Sequence, residues 1–230
     1  MTTPPPRVVL ASQNQGKLKE LRHLFDALGS ELIALSEHSS VAPEETATTF
    51  IENALIKARH ATSVTGLPCL ADDSGLCVHA LGGAPGVRSA RYAETERART
   101  GFVSPSLDSP GSDNKGSDNA GSGNTGSMDS ANNAALLHAL REVSDRRAYF
   151  FCVLVYLRAP DDPEPLIATG RWPGEILHAP RGNQGFGYDP LFIDPTLGMS
   201  SAELPRETKN RVSHRARAAA QLAILLAERP

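Results

Sequence analysis

The run AYFFCVLVYL at positions 148–157 places the strongest restriction on what this chain can fold into. Its residues are aromatic, β-branched or otherwise apolar and carry no charge, which is typical of a β-strand. A strand must pair its backbone N–H and C=O groups with neighbours, so the run predicts a sheet. The segments PLIATGRW and GEIL, which follow it, are the predicted partners.

Further strands and helices are predicted on both sides of this run. RVVLA at 7–11 has the pattern of a buried strand, and ELIAL of a second one. Between them, apolar residues recur with helical spacing up to Gly29, which is predicted to end that helix. A further helix is predicted from about Thr49 to Thr62, with Thr48 or Thr49 as its N-cap and Glu52 in the first turn. The segments LPCLA and LCVHAL read as two apolar strands, and SHRARAAAQLAILLAE as a last helix capped by Ser213.

Composition and cysteine usage exclude several classes of protein. The 23 basic and 26 acidic residues give a formal charge of −3, whereas a nucleic-acid-binding protein usually carries a basic field. Cys69, Cys77 and Cys152 stand singly in apolar surroundings, which favours reduced thiols over a disulfide framework or a zinc site. The chain shows neither a signal-peptide pattern nor an apolar run long enough to span a bilayer. We therefore expect a cytoplasmic protein that binds neither nucleic acid nor membrane.

The segment from about Arg97 to Ser130 differs from the rest of the chain. It is dominated by Gly, Ser, Asn and Asp, and it contains repeated GSDN and GSGN units. Such a composition offers too little apolar surface to offset the entropy lost on ordering. We interpret 97–130 as a flexible, low-complexity insertion within a single domain that spans 1–230, and we expect the next helix to begin near Ala131.

Two adjacent carboxylates, Asp72 and Asp73, follow the apolar run LPCLA and precede Ser74 and Gly75. Carboxylates this close repel each other, and burying them is costly unless a cation or strong donors compensate. Asp-Asp-Ser-Gly is equally good turn chemistry. This segment alone leaves open a solvated turn or a divalent-metal site at the end of a strand.

Four further polar clusters lie at predicted element boundaries, where sites are usually built. Ser12-x-Asn14-x-x-Lys17 lies in a turn between a strand and a helix, where backbone N–H groups and a lysine can hold phosphate oxygens. Glu44 and Glu45 precede a helix whose Asn53 and Lys57 share one face, although a solvated face is the simpler interpretation of either residue alone. The segments GNQGFGYDPLF (182–192) and KNRVSHRAR (209–217) complete the set.

These last two segments suit opposite ends of a nucleotide. Phe186 on a glycine-rich loop can stack on a base, although such an aromatic often belongs to the core. Lys209, Arg211, His214, Arg215 and Arg217 gather at a predicted helix start, where cations are unfavourable unless an anion binds there. With acidic groups for a hard cation such as Mg²⁺, the clusters together predict a nucleoside triphosphate site.

The same motifs resemble those of the inosine triphosphate pyrophosphatase family, whose bacterial members are dITP/XTP pyrophosphatases. The resemblance runs from about Arg7 to the last helix and rests on Ser12-x-Asn14-x-x-Lys17, EETATTFIENALIKA, LADDSGLCVHALGGAPGVRSARY, GFGYDPLF and SHRA. It implies an α/β fold in which a long mixed sheet is flanked by helices, with two lobes and a substrate cleft between them. It further implies a Mg²⁺-dependent homodimer, with one ion per subunit, that cleaves non-standard purine triphosphates into the monophosphate and pyrophosphate.

The resemblance also implies roles for individual residues. Asp73 would be the proton acceptor and a metal ligand, and Glu45 the other acidic ligand. The phosphate side would be lined by Ser12, Gln13, Asn14, Gln15, Gly16, Lys17 and Ser74. The nucleotide and base would be lined by Phe186, Gly187, Tyr188, Asp189, Lys209, His214 and Arg215.

Base selectivity follows only in part from these residues. A donor such as Arg215 would suit the 6-oxygen of hypoxanthine or xanthine, whereas the amine of adenine would leave a buried contact unpaired. Two other functions stay open: a related pyrophosphatase for modified pyrimidine or bulky nucleotides, and a nucleotide-binding module without hydrolytic activity.

Overall fold

The computed structural model of the chain describes residues 7–12, 17–18, 21–22, 25–26, 29–39, 41–103 and 123–228, with only the backbone given for 123–127. Within these ranges, none of the helices has the length and apolar character that a membrane crossing requires.

The described residues form one mixed sheet with helices, which confirms the predicted α/β class. Its strand order is β2-β1-β3-β4-β5-β6-β7. β1 runs parallel to β2 and β3, whereas β6 runs antiparallel to β5 and β7. The strands are β1 Arg7–Leu10, β2 Glu31–Ala34, β3 Cys69–Val78, β4 Arg147–Leu157, β5 Leu166–Ile176, β6 Phe192–Asp194 and β7 Met199–Ser200.

Five α-helices are complete within the described residues. They are α1 Phe50–Thr65, α2 Tyr92–Thr100, α3 Gly123–Ala139, α4 Arg206–Val212 and α5 His214–Glu228. Three short 3-10 helices span Leu35–Glu37, His79–Leu81 and Gly86–Arg91. Before β2, the described residues 17–18, 21–22 and 25–26 are also helical, while the other positions of that predicted helix lie outside the described residues.

The chain packs into two compact units, and β3, β4 and β5 contribute residues to both. The first unit contains Met1–Ser74, Phe150–Trp172 and Pro205–Pro230, and the second contains Gly75–Tyr149 and Pro173–Leu204. The substrate cleft expected from the family resemblance stays a prediction.

In the first unit, helices cover both faces of the sheet. On one face, Leu70 packs in a core cluster with Phe25 from the N-terminal helical residues and Leu222 from α5. On the other face, Cys69 and Ala71 pack with Ala54, Ala58 and Ala61 of α1. Because successive side chains of a strand point to opposite faces, each residue of β3 is assigned to one helix layer or the other.

Several predicted boundaries are confirmed. Thr49 is the N-cap of α1, and its hydroxyl accepts a hydrogen bond from the Glu52 backbone N–H. Gly29 has a φ of 72°, and its N–H donates to the Asp26 carbonyl, so it ends the helical segment as predicted. β2 and β4 lie where ELIAL and AYFFCVLVYL place them.

The interpretation of LPCLA and LCVHAL as two strands separated by a turn is wrong. β3 is one strand of 10 residues from Cys69 to Val78 that passes through Asp72, Asp73 and Ser74 without interruption. The predicted partners PLIATGRW and GEIL likewise form the single strand β5. Turn-forming residues did not end either strand, because their place in the sheet overrides their local preference for turns.

The segment 97–130 contains more helix than its composition predicts. α2 continues to Thr100, and α3 begins at Gly123, so the expected helix start near Ala131 is wrong. Residues 104–122 lie outside the described residues, and their flexibility stays a prediction.

The cationic segment KNRVSHRAR spans two helices instead of one helix start. Lys209 and Arg211 lie in the last turn of α4, where the helix dipole favours positive charge. His214 and Arg215 begin α5, and the Ser213 hydroxyl accepts from the Ala216 N–H, which confirms the predicted cap. The unfavourable interaction of cations with a helix N-terminus, expected for the whole segment, therefore applies only to the residues at the start of α5.

Candidate active site

A pocket of about 240 Å³ in the first unit contains most of the predicted phosphate and metal residues that the structure describes. It lies where Ser12 follows the end of β1 and where the segment before α1 carries Glu45. Its lining comprises Ala11, Ser12, Lys17, Leu35, Ala42, Pro43, Glu45, Lys57 and Asp72. Two lysines and two carboxylates therefore share one small space.

Asp72 is buried and bonded through both of its oxygens. Its Oδ1 pairs with Lys17 Nζ and accepts from Ser74 Oγ at 2.9 Å. Its Oδ2 accepts from Arg215 Nε at 2.8 Å and from Cys152 Sγ at 3.3 Å. Burial alone would raise the pKa of Asp72, but the Arg215 and Lys17 cations lower it well below its ordinary value. Asp72 is thus an ionised residue whose oxygens already bind protein donors.

Asp73 points to the opposite face of β3, toward α1. Its Oδ1 accepts a hydrogen bond from Lys57 Nζ at 2.7 Å, and the same ammonium lies 3.3 Å from Glu45 Oε1. Burial raises the pKa of Asp73, against the opposing effect of Lys57. Burial would lower the pKa of Lys57, but Asp73 and Glu45 raise it, so this lysine stays protonated. One buried cation therefore joins the two carboxylates expected to bind metal.

The second oxygen of Asp73 fits a hard cation. Oδ2 is buried and makes no hydrogen bond in the structure. An orphaned carboxylate oxygen is costly to bury, and oxygen is the ligand that Mg²⁺ prefers. Among the described residues, no group of three or more His, Cys, Asp or Glu side chains is arranged to hold a metal. Two carboxylates suit Mg²⁺, which usually completes its shell with water and substrate phosphates.

Lys57 was recognised in the sequence on one helix face with Asn53, but no role at the site was predicted for it. The signal was present in α1, because Ala54, Ala58 and Ala61 define the buried face and Lys57 falls on it. A lysine at a core-facing position needs an anionic partner. A solvated helix face, the simpler interpretation, is therefore wrong here.

Asn53, one turn before Lys57, holds the segment that carries Glu45. Its Oδ1 accepts from the Ala47 N–H at 3.0 Å, and its Nδ2 donates to the Ala47 carbonyl at 3.3 Å. Both polar backbone groups of Ala47 are thus fixed by one buried amide. This contact places Glu45, two residues earlier, beside Lys57.

The SHRA segment contributes Arg215 and His214 to the first unit. Arg215 Nη2 donates to Ser74 Oγ at 2.9 Å, in addition to the bond from Nε to Asp72. The His214 ring stacks on Phe150 with centroids 4.8 Å apart and lies near Trp172. Burial and the Arg215 charge lower the pKa of His214 well below its ordinary value, so the ring is neutral. Its Nδ1 is buried without a hydrogen-bond partner.

The GFGYDP loop belongs to the second unit. Phe186 is partly exposed, with 37 % of its surface accessible, as a stacking platform requires. Tyr188 is buried and donates from its hydroxyl to the Ser89 carbonyl at 2.8 Å. Asp189 is buried and accepts from Ser201 Oγ at 2.7 Å and from the Phe186 N–H at 2.9 Å. Within this loop, Tyr188 and Asp189 hold the backbone while Phe186 and Gly187 line a pocket.

Comparison with known proteins identifies the family of this chain. The sequence pattern of the Ham1 family matches residues 8–104 and 108–225, which is most of the chain. The chain belongs to the Ham1 family. The family resemblance drawn from the motifs is therefore confirmed.

Relatives and solved structures of the Ham1 family agree along almost the whole length. A dITP/XTP pyrophosphatase of Burkholderia pseudomallei (strain K96243) is 50 % identical, covering 96 % of this chain and 94 % of the relative. One from Methylibium petroleiphilum is 51 % identical over 96 % of this chain and 97 % of its own. The structure of a HAM1 protein from Coxiella burnetii matches with a TM-score of 0.78 and 42 % identity, over 98 % of this chain and 100 % of that one.

Among the predicted site residues, the first unit contains Ser12, Lys17, Glu45, Asp73, Ser74, His214 and Arg215. Lys209 lies in the same unit on α4. Gln13, Asn14, Gln15 and Gly16 lie outside the described residues. The roles given to these residues stay predictions.

Proposed function

We propose that this protein hydrolyses non-standard purine nucleoside triphosphates, such as dITP, ITP and XTP, to the monophosphate and pyrophosphate in a Mg²⁺-dependent reaction. The observation that carries the proposal is the orphaned Oδ2 of Asp73, buried beside the Lys57 ammonium and Glu45. The relatives named dITP/XTP pyrophosphatase support the choice of substrate.

In this proposal Asp73 and Glu45 hold the metal, and Asp73 accepts the proton of the attacking water. When bound, Mg²⁺ polarises the phosphate oxygens and neutralises charge that develops on them. Lys57 fixes Asp73 through Oδ1 and leaves Oδ2 available. Burial makes this carboxylate a stronger base than an exposed one, because it raises the pKa of Asp73.

Lys17, the other cation of the pocket, and the Ser12 hydroxyl serve the phosphates. Lys17 lines the pocket and pairs with Asp72, which holds its ammonium in place. Ser12 follows the end of β1 and offers a hydroxyl on the same lining. Ammonium and hydroxyl donors suit a polyphosphate, since each contributes charge-assisted or neutral hydrogen bonds to its oxygens.

Base recognition is assigned to Phe186, Lys209, His214 and Arg215. Phe186 presents a half-exposed ring for stacking, and His214 is a neutral ring with a buried, unpartnered nitrogen. Arg215 donates from Nε to Asp72 and from Nη2 to Ser74, which fixes the position of its guanidinium. Such hydrolysis would keep non-standard bases out of the nucleotides used for DNA and RNA. The protein would act in the cytoplasm as a homodimer.

The first test is pyrophosphate release by the purified chain from dITP, XTP, dGTP and dTTP with and without Mg²⁺. We expect rapid release from dITP and XTP, much slower release from the others, and loss of activity after exhaustive chelation that added Mg²⁺ restores. Hydrolysis of dTTP in preference to dITP would favour a pyrimidine or bulky-nucleotide pyrophosphatase. Tight dITP binding without product would instead favour a binding module.

A further inference from the structure

Two side chains on one face of α3 bind the backbone of the loop that carries Phe186. Asp129 Oδ2 accepts a hydrogen bond from the Gly187 N–H at 2.7 Å. Asn133, one turn later, donates from Nδ2 to the Gly187 carbonyl at 2.9 Å. Because a carbonyl accepts only from a donor, this contact also fixes which end of the Asn133 amide faces the loop. Both polar backbone groups of Gly187 are therefore held by one helix.

This contact lies next to the exposed aromatic ring. Gly187 has a φ of 60°, a left-handed conformation that favours glycine. On the other side, the Phe186 N–H donates to the buried Asp189. The backbone is thus fixed before and after Phe186, whose side chain lines a pocket with Asp129 and Asn133. A ring on a glycine-rich loop would otherwise sample many orientations.

We propose that Asp129 and Asn133 are positioning residues that hold Phe186 in the orientation required for stacking on the base. The inference rests on the proposed function, because the base is the ligand on which Phe186 acts. The apparent affinity for a ligand is proportional to the fraction of molecules whose site is competent to bind it. Loss of the contact should therefore weaken nucleotide binding and leave the chemical step at Asp73 nearly unchanged.

The first measurement compares kcat and KM for dITP in Asp129→Ala, Asp129→Asn and the wild-type protein. A hydrogen bond to a charged group stabilises the loop conformation enough that its loss should raise KM about tenfold. The value of kcat should stay within about twofold of the wild type. Asp129→Asn keeps a side-chain oxygen that can accept from Gly187, so it should restore most of the affinity. Asp161→Ala, at an exposed carboxylate of the first unit, is the control and should match the wild type.

A double-mutant cycle separates positioning from a general effect on stability. If Asp129 acts through Phe186, Asp129→Ala should change KM by less than about twofold once Phe186→Ala is present. An equal change in both backgrounds, or a loss confined to kcat, would overturn the inference. If Asp129→Ala does not fold, Asn133→Ala removes only the donor to the Gly187 carbonyl, and the same cycle applies to it.

Hydrogen exchange of the Gly187 amide distinguishes failure of this inference from failure of the proposed function. The amide should be protected in the wild type and exchange at least about tenfold faster in Asp129→Ala, whatever the substrate is. Protection that persists in Asp129→Ala contradicts the inference even if dITP is hydrolysed. If the wild type does not hydrolyse dITP, the proposed function fails, and with it the role assigned to the Gly187 contact.

Discussion

At the scale of residues, Asp72 and Asp73 show how two adjacent carboxylates can both be buried. They point to opposite faces of β3, so they pair with different cations: Asp72 with Arg215 and Lys17, and Asp73 with Lys57. Asp72 uses both oxygens on protein donors, whereas Asp73 keeps Oδ2 without one. The repulsion that made this pair conspicuous in the sequence is offset locally, and the chemistry is left to one of the two residues.

Replacing Asp73 by asparagine should separate chemistry from binding. The variant removes the proton acceptor and one charge of the metal site but keeps the size of the side chain. Loss of a positioned general base costs about 10²–10⁴-fold in rate. Affinity for a non-hydrolysable inosine nucleotide should fall far less, because Lys17 and Phe186 remain. The measurement is single-turnover hydrolysis of dITP together with a titration.

Asp161→Asn is a matched control for this substitution, since it makes the same chemical change at an exposed position. Phe186→Ala should show the reverse behaviour of Asp73→Asn, with weaker binding and a smaller loss in the chemical step. Near wild-type turnover in Asp73→Asn would show that this residue is only part of β3. In that case the reaction would need another proton acceptor.

At the scale of elements, β3 connects two helices of opposite layers through its two carboxylates. Asp72 faces α5 through Arg215, and Asp73 faces α1 through Lys57. The apolar pattern of the sequence predicted these elements, namely α1, β4 and α5. The sequence pattern did not predict that Asp72 and Asp73 lie inside a strand, because aspartate favours turns. Their position within the sheet overrides that preference.

Asp72→Asn should destabilise the protein strongly. It leaves the buried Arg215 and Lys17 without their counter-ion, and breaking a buried pair in this way costs about 3–5 kcal/mol. The pKa of Asp72 is lowered in the folded chain, so its contribution is present above about pH 4 and is lost as pH falls further. Urea unfolding in EDTA between pH 3 and 7 should show the deficit of the variant shrinking at low pH.

Asp145→Asn provides the control for that measurement. Asp145 pairs with Arg147 at 2.8 Å on the surface, where ion pairs contribute little. We expect its unfolding free energy to stay close to that of the wild type at pH 7. A deficit of similar size in Asp145→Asn, or one in Asp72→Asn that does not change with pH, would contradict the assignment to the buried pair.

At the scale of the whole molecule, the α/β class could be predicted because the motifs and their order resemble those of one family. The resemblance implied two lobes, but the bounds of the two compact units could not be predicted, since β3, β4 and β5 contribute to both units and no composition shift marks the boundary. Composition also hid Asp129, which lies inside the segment interpreted as a low-complexity insertion yet binds the Gly187 backbone. A single side chain can contact a distant loop without any periodic signal around it.

Because Asp129 binds the Gly187 backbone, we expect only residues 104–122, between α2 and α3, to be dispensable. Its aliphatic residues are limited to Leu107 and Ala120, so its sequence offers little to a core. The two helices have contacts of their own that do not involve it. Asn132 of α3 accepts from the Ala93 N–H at 2.9 Å and donates to the Ala90 carbonyl at 3.0 Å, and Phe102 stacks on His138 with centroids 4.3 Å apart.

Replacing 104–122 by a short Gly-Ser linker should leave the midpoint of thermal unfolding within about 2 °C of the wild type, since loop length changes stability only weakly. Turnover of dITP should stay within about twofold. A variant with the same length but a scrambled order of these residues is the control, because it separates an effect of length from one of sequence. A loss of stability in the shortened chain alone would indicate that the span between the helices needs its full length. A large loss of turnover in both variants would show that this sequence contributes to the site.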